Sequence, residues 1–172
     1  MDFTGKVVVI TGASSGIGEA LVYAFADRGA KVVMGARNSA KLAEIAAQLF
    51  TRGIESAFEA TDVTREEDCK RLIDKALSAF GRIDILICNA GISMRALFDD
   101  VQLDVLRQLM DVNFWGTVYC AKYALPALQA AKGTLVGVSS VAGMHGLPGR
   151  TGYSASKFAM TGLLETIRIE NL

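Results

Sequence analysis

Tyr153 and Lys157 stand four residues apart in Tyr153-Ser154-Ala155-Ser156-Lys157. On a helix that spacing puts both side chains on one face, so a phenol and an ammonium can point into one site. A phenol can give up a proton and take it back, and a cation beside it favours the ionised form. Ser139-Ser140 closes an apolar run further upstream, at the kind of strand end where open α/β sheets hold ligands. Near the N-terminus, Thr11-Gly12-Ala13-Ser14-Ser15-Gly16-Ile17-Gly18 separates a β-branched run from a helical pattern. Gly12, Gly16 and Gly18 suit a tight turn that brings backbone N–H groups and a helix N-terminus close to a pyrophosphate. Taken singly, these features are common. Most Tyr/Lys pairs at this spacing are solvated helix residues, and turns use glycine for purely structural reasons.

The elements that must position these residues alternate. Residues 6–11 form a continuous apolar run, the pattern of a strand buried on both faces. Residues 16–28 carry Ile17, Ala20, Leu21, Ala24 and Phe25 at helical spacing, and Gly29 stops the helix. A second strand spans 31–35. The next helix has Leu42, Ile45, Ala46 and Leu49 on one face, Ser39 as its expected N-cap and Gly53 as its stop. A weaker third strand covers 54–60. Thr64 and Glu67 make an expected capping box before a helix with Leu72, Ile73, Ala76, Leu77 and Phe80 inward. Strand 83–88 follows, then two helical stretches at about 103–110 and 112–131, a fifth strand at 133–139, and a last helix from Tyr153. Strands alternating with helices predict a doubly wound parallel sheet of the Rossmann type.

The chain has 172 residues, 51% of them hydrophobic and 21% charged, enough for one domain with a real core. Eighteen basic residues balance eighteen acidic ones, which argues against nucleic acid or a membrane surface as partner. Cys69, Cys88 and Cys120 are widely spaced in sequence, and His145 is the single histidine. That set argues against a disulfide framework and against a metal site. No apolar run has the length of a spanning helix and the N-terminus lacks a leader pattern, so the expected location is cytoplasmic.

Thr11-Gly12-x-x-x-Gly16-Ile17-Gly18 resembles the cofactor loop of the short-chain dehydrogenase/reductase family, and the resemblance extends over nearly the whole chain. It implies an oxidoreductase moving a hydride between a nicotinamide cofactor and a carbonyl or alcohol. Asn113, Ser140, Tyr153 and Lys157 resemble the family's catalytic tetrad in order and spacing. By that resemblance Tyr153 is the general acid/base and Lys157 also holds the nicotinamide ribose. Ser140 binds the substrate oxygen, and Asn113 holds a water in a proton relay. Ser14 and Ser15 join the three glycines and Ile17 as cofactor contacts. Asp62-Val63 resembles the pair that holds the adenine, and Asn89-Ala90-Gly91 the loop bordering the cofactor. A dinucleotide fold that prefers NAD places an acid after the second strand. Here that stretch reads Met34-Gly35-Ala36-Arg37-Asn38, with no acid and with Arg37 available to a 2′-phosphate, so NADP is expected ahead of NAD.

The sequence departs from the family in three places. Cys88 stands where the family carries Asn before Asn89-Ala90-Gly91. The glycine loop has Ser14 and Ser15 where some NADP-using members carry a basic residue. The C-terminal strands of the family fold are absent from the 172 residues, so the chain reads as a single, C-terminally truncated domain whose fifth strand is an open sheet edge. His145, Met94, Leu97, Met144 and Leu147 are candidate substrate contacts or plain loop residues. Phe114, Trp115, Val118, Tyr119 and Leu125 fit either core packing or the homodimer or homotetramer that the resemblance implies. The alternative function is a truncated or non-catalytic module that binds nucleotide or dimerises without turnover. A flavodoxin-like signalling domain shares the α/β pattern but leaves Arg37 and the tetrad unexplained.

Overall fold

A computed structural model describes residues 2–171; Met1 and Leu172 lie outside the described residues. Five parallel strands, β1 (Val7–Thr11), β2 (Lys31–Ala36), β3 (Ser56–Ala60), β4 (Ile85–Cys88) and β5 (Thr134–Gly137), form one sheet in the order β3-β2-β1-β4-β5. The helices are α1 (Gly16–Ala26), α2 (Ser39–Thr51), α3 (Glu66–Phe80), α4 (Leu103–Met110), α5 (Gly116–Ala131) and α6 (Thr151–Glu170). The doubly wound α/β architecture is as the alternating pattern predicts.

The apolar runs explain the layering. Along β1 successive side chains face opposite sides of the sheet. Val8 and Ile10 join Val32, Met34, Leu42, Ile45 and Leu49 in one core layer, beneath α1 and α2. Val7 and Val9 join Val33, Leu72, Ile73, Leu86 and Cys120 in the other, beneath α3 and α5. Each fully buried Val, Leu or Ile side chain contributes roughly 1.5–3 kcal/mol. Strands short of polar side chains are therefore the natural centre of the sheet.

Local chemistry corrects several expected boundaries. Asn38, not Ser39, caps α2: its side chain accepts from Lys41 N at 3.0 Å, and Ser39 is already helical. The Thr64–Glu67 capping box does not form. Asp62 Oδ1 captures Thr64 instead, accepting from its backbone N (3.0 Å) and its hydroxyl (2.8 Å), and α3 starts at Glu66. Glu66, Glu67 and Asp68 then place three acids against the positive end of that helix. The two helical stretches around 103–131 are joined by a π turn, Asp111–Trp115, into a continuous rod. Single π turns of this kind are frequent at functional sites. Strand β5 is shorter than expected, four residues at the sheet edge with Thr134 and Val136 exposed.

At the opposite end of the sheet from the glycine loop, Asp84 ties β1 to β4. Its buried carboxylate accepts from Val7 N (3.0 Å), Lys6 Nζ (3.0 Å) and Arg82 Nε (2.8 Å) and Nη2 (2.7 Å). Burial alone would raise the Asp84 carboxyl, but Arg82, the Val7 amide and Lys6 outweigh it and hold it below the ordinary carboxylate range. A carboxyl depressed on folding stabilises fully above its unfolded pKa, and that stability is lost as pH falls through the folded value. Asp84→Asn should therefore lower Tm at pH 7, and the gap from the parent should close as pH falls below about 4. A gap that stays constant down to the acid transition contradicts this account.

Candidate active site

The strand order puts β1 between β2 and β4, so the chain leaves β1 and β4 toward opposite sides of the sheet. Such a switch point opens a crevice at the carboxyl ends of the strands. A cleft of about 630 Å³ lies there, within the usual range for a ligand site. Gly12, Ser14, Ser15, Ile17, Arg37, Asp62, Val63, Asn89, Ala90, Gly91, Tyr153 and Lys157 all line it, so the structure brings together most of the positions that sequence singled out.

The crevice is held by two side chains. Thr11 Oγ1 accepts from Asn89 N and Ala90 N, both at 3.0 Å. Asn89 Nδ2 donates in return to Thr11 O at 2.9 Å. The glycines divide the work around this lock. A Cβ on Gly18 would collide with the Gly12 carbonyl, and one on Gly12 would sit 2.9 Å from Ala90 Cα, so these two serve close packing. Gly16 is different: φ is +56° and nothing stands within 4 Å of where its Cβ would be. The start of α1 therefore presents open backbone, with the side chain of its N-cap Ser15 making no capping bond. That arrangement suits a pyrophosphate.

At the far side of β2, Arg37 is exposed and lines the cleft beside Asn38. Lys41 is engaged with Glu19 and Glu44, whereas Arg37 takes part in no ion pair among the described residues. Asp62 uses Oδ1 on Thr64, and among the described residues no such bond occupies Oδ2. Val63 is buried against Gly116, where a Cβ would approach Val63 Cβ to 2.8 Å. The helix just after the π turn can pack this close to Val63 only because that position is glycine.

At the other end, Lys157 is 4% exposed and donates from Nζ to Val138 O at 2.8 Å. It forms no ion pair with a carboxylate among the described residues. Burial pushes its ammonium below the ordinary lysine range. The ammonium lies 5.9 Å from the centroid of the Tyr153 ring, on the shared helix face that the spacing predicts. Asn113, in the π turn, is fully buried. Its Oδ1 accepts from Ile92 N (2.9 Å), and its Nδ2 donates to Ile92 O (3.0 Å) and Ser156 Oγ (2.9 Å). Gly91 leaves room between Asn113 and Lys157, since its Cβ would stand 3.1 Å from Asn113 Oδ1 and 3.5 Å from Lys157 Nζ.

Four expected positions sit elsewhere. Gly16, Gly18 and Asn113 support the cleft without lining it. Ser140 also lies outside the lining, half-buried, with its Oγ accepting from Ala142 N (3.1 Å) at the start of a 3₁₀ turn, Val141–Gly143. Ser139 lines the cleft in its place, and its hydroxyl lies 3.2 Å from Thr161 Oγ1. Met94 is half-buried, while Leu97, Met144, His145 and Leu147 are exposed; none of the five lines the cleft. Ile92, Gln108, Val112 and Val138 line it without having been foreseen. Val138 had a usable signal, standing beside the serines at the end of the fifth strand. Gln108 had none.

A family model described as short chain dehydrogenase matches residues 6–171. The chain belongs to the short-chain dehydrogenase family. It is 42% identical over 171 residues to 11-beta-hydroxysteroid dehydrogenase A of Sesamum indicum, covering 98% of this chain and 49% of that one. The chain spans about half the length of the curated relatives it matches. An alcohol dehydrogenase from the archaeon Thermococcus sibiricus, complexed with 5-hydroxy-NADP, superposes with a TM-score of 0.94 at 32% identity. That match covers 96% of this chain and 71% of the other. A short chain dehydrogenase/reductase from Burkholderia phymatum, in complex with NAD, gives 0.92 at 32% identity, covering 97% and 60%. Among the described residues no helix is long and apolar enough to cross a membrane.

The glycine geometry makes a direct prediction. Gly18→Ala should cost about 1–3 kcal/mol, because backbone rather than a flexible side chain must yield to the new methyl. Gly16→Ala, facing open space but at positive φ, should cost only about 1 kcal/mol. Urea titrations of both variants would measure this, and equal losses would contradict the division of roles.

Proposed function

We propose that this chain carries the cofactor site and catalytic residues of an NADP(H)-dependent oxidoreductase that interconverts an alcohol and its carbonyl. The observation that carries the proposal is the buried Lys157 ammonium beside Tyr153. A cation taken out of water without a carboxylate partner is costly, and a single backbone carbonyl, Val138 O, is what its ammonium reaches among the described residues. A charged, desolvated group at the end of a ligand cleft is the mark of a functional site.

The residues fit a nicotinamide dinucleotide on this structure's own terms. The open backbone at Gly16 and the N-terminus of α1 suit the pyrophosphate, Asp62 Oδ2 the adenine side, and Arg37 a 2′-phosphate. Arg37 in the place of an acid favours NADP over NAD. When bound, the nicotinamide supplies or accepts the hydride. Tyr153 delivers a proton to the carbonyl oxygen as negative charge builds there, and removes it in the oxidative direction. Lys157 provides the positive charge that favours the phenolate. Ser140, oriented by the Ala142 amide, keeps its hydroxyl proton free for the substrate oxygen. Asn113 spends both amide protons on Ile92 and Ser156, so a relay water at this site would rest on the remaining lone pair of its Oδ1, in the space that Gly91 leaves open.

The relatives named as 11-beta-hydroxysteroid dehydrogenases support an apolar, polycyclic alcohol or ketone as the substrate class. Association of two or four copies across α5 and α6 is supported by Trp115, 44% exposed and stacked on Tyr119 with centroids 5.7 Å apart, and by Phe158, 45% exposed.

The test is NADPH oxidation, followed by absorbance, with a panel of steroid and aliphatic ketones. Tyr153→Phe should lower kcat by about 10²–10⁴-fold with NADPH still bound. Lys157→Met should also abolish turnover, yet leave Tm unchanged or up to about 4 °C higher, because it removes an unpaired buried charge. Arg37→Leu should weaken NADPH about tenfold or more and leave NADH alone. NADPH binding without turnover on any member of the panel would leave the nucleotide-binding module as the better reading.

A further inference from the structure

We propose that Ser156 is a positioning residue for the reaction, clamping the π turn and the Gly91–Ile92 loop to the helix that carries Tyr153 and Lys157. This rests on the oxidoreductase reading above. Ser156 is fully buried. Its hydroxyl accepts from Asn113 Nδ2 at 2.9 Å and donates to Tyr153 O at 2.8 Å. Its one proton is thereby spent, and its oxygen faces the amide of a residue 43 positions away.

The consequence follows from what else Asn113 holds. Its amide grips Ile92 through both backbone groups, and Ile92 follows Gly91 at the edge of the cleft. The chain of contacts therefore runs from Tyr153 O through Ser156 Oγ and Asn113 to the loop after β4. Among the described residues this is the side-chain hydrogen bond that joins the π turn to α6. Without it, α6 keeps its own i to i+4 ladder, so Tyr153 and Lys157 stay in register with each other. What slackens is their distance from the cofactor-bordering loop. Asn113 would also be left with a buried N–H lacking its partner, a group that forces local rearrangement. Alanine fits the volume but cannot accept that proton, so the hydroxyl is required for geometry rather than for filling space.

The experiment compares the parent protein with Ser156→Ala, Asn113→Ala and the double variant. Three quantities are read: kcat and KM with NADPH and a ketone substrate, Tm, and hydrogen exchange at the Ile92 amide. Displacement by about 1 Å costs on the order of 100-fold in rate. Ser156→Ala should therefore lower kcat about 10- to 100-fold with KM within about twofold, and speed Ile92 exchange about tenfold. The double variant should be no worse than Asn113→Ala, because both substitutions remove the same clamp. Should Ser156→Ala fail to fold, Ser156→Cys, a weaker donor and acceptor, is judged by the same criteria. A lowered Tm with kcat per folded molecule and Ile92 exchange at parental values would overturn the proposal, as would fully additive losses. If the parent transfers no hydride, the oxidoreductase reading fails by itself. Ile92 exchange then decides the clamp: faster exchange upholds it and unchanged exchange overturns it.

Discussion

Two strands that run side by side but discharge their chains in opposite directions would open a gap between their ends, and here Thr11 and Asn89 hold that gap to a fixed width. The threonine hydroxyl takes two backbone protons from the β4 loop, and the asparagine amide returns one to the end of β1. The bonds are reciprocal, so neither loop can move without breaking the other's satisfaction. The glycine loop, its close approach to Ala90 and the crevice itself all rest on this lock. A ligand cleft needs walls that are apart yet rigid, and five polar atoms supply both properties.

The other end of the cleft is built on different physics. There the fold accepts an unpaired ammonium and a π turn, neither of which serves stability. Both depend on surroundings that leave no alternative. Lys157 has a single strand-end carbonyl to reach, and Asn113 has its side chain satisfied three times over, which holds an irregular backbone in place. Sites that act chemically tend to be those where local preference is overruled by neighbours.

The sequence made the layers legible because β1 and β4 are apolar on both faces, and only a sheet covered on both sides explains that. The glycine loop was legible because its residues are adjacent in the chain and flanked by a strand and a helix. What stayed hidden depends on long-range partners. Asn113 could be placed by its resemblance, but its ties to Ile92 and Ser156 join segments 21 and 43 residues away, and no spacing announces them. The separation from Tyr153 selects Ser140 over Ser139, but which of the two adjacent side chains lines the cleft depends on where the strand yields to the 3₁₀ turn. Thr64 failed as a cap because Asp62 reached it first, a local competition that a motif does not encode.

The three cysteines, scattered in sequence, converge in the same core layer, from α3, β4 and α5. All three are free and buried. Burial lifts the Cys88 thiol to about 12. A hydrogen bond to Cys69, burial and the nearby thiols raise that of Cys120. All three are shut away from solvent, so none of them offers an electrophile much purchase while the layer stays closed. The protein therefore carries its own clock for breathing: the rate at which an alkylating reagent consumes these thiols measures how often the core beneath the cleft comes apart.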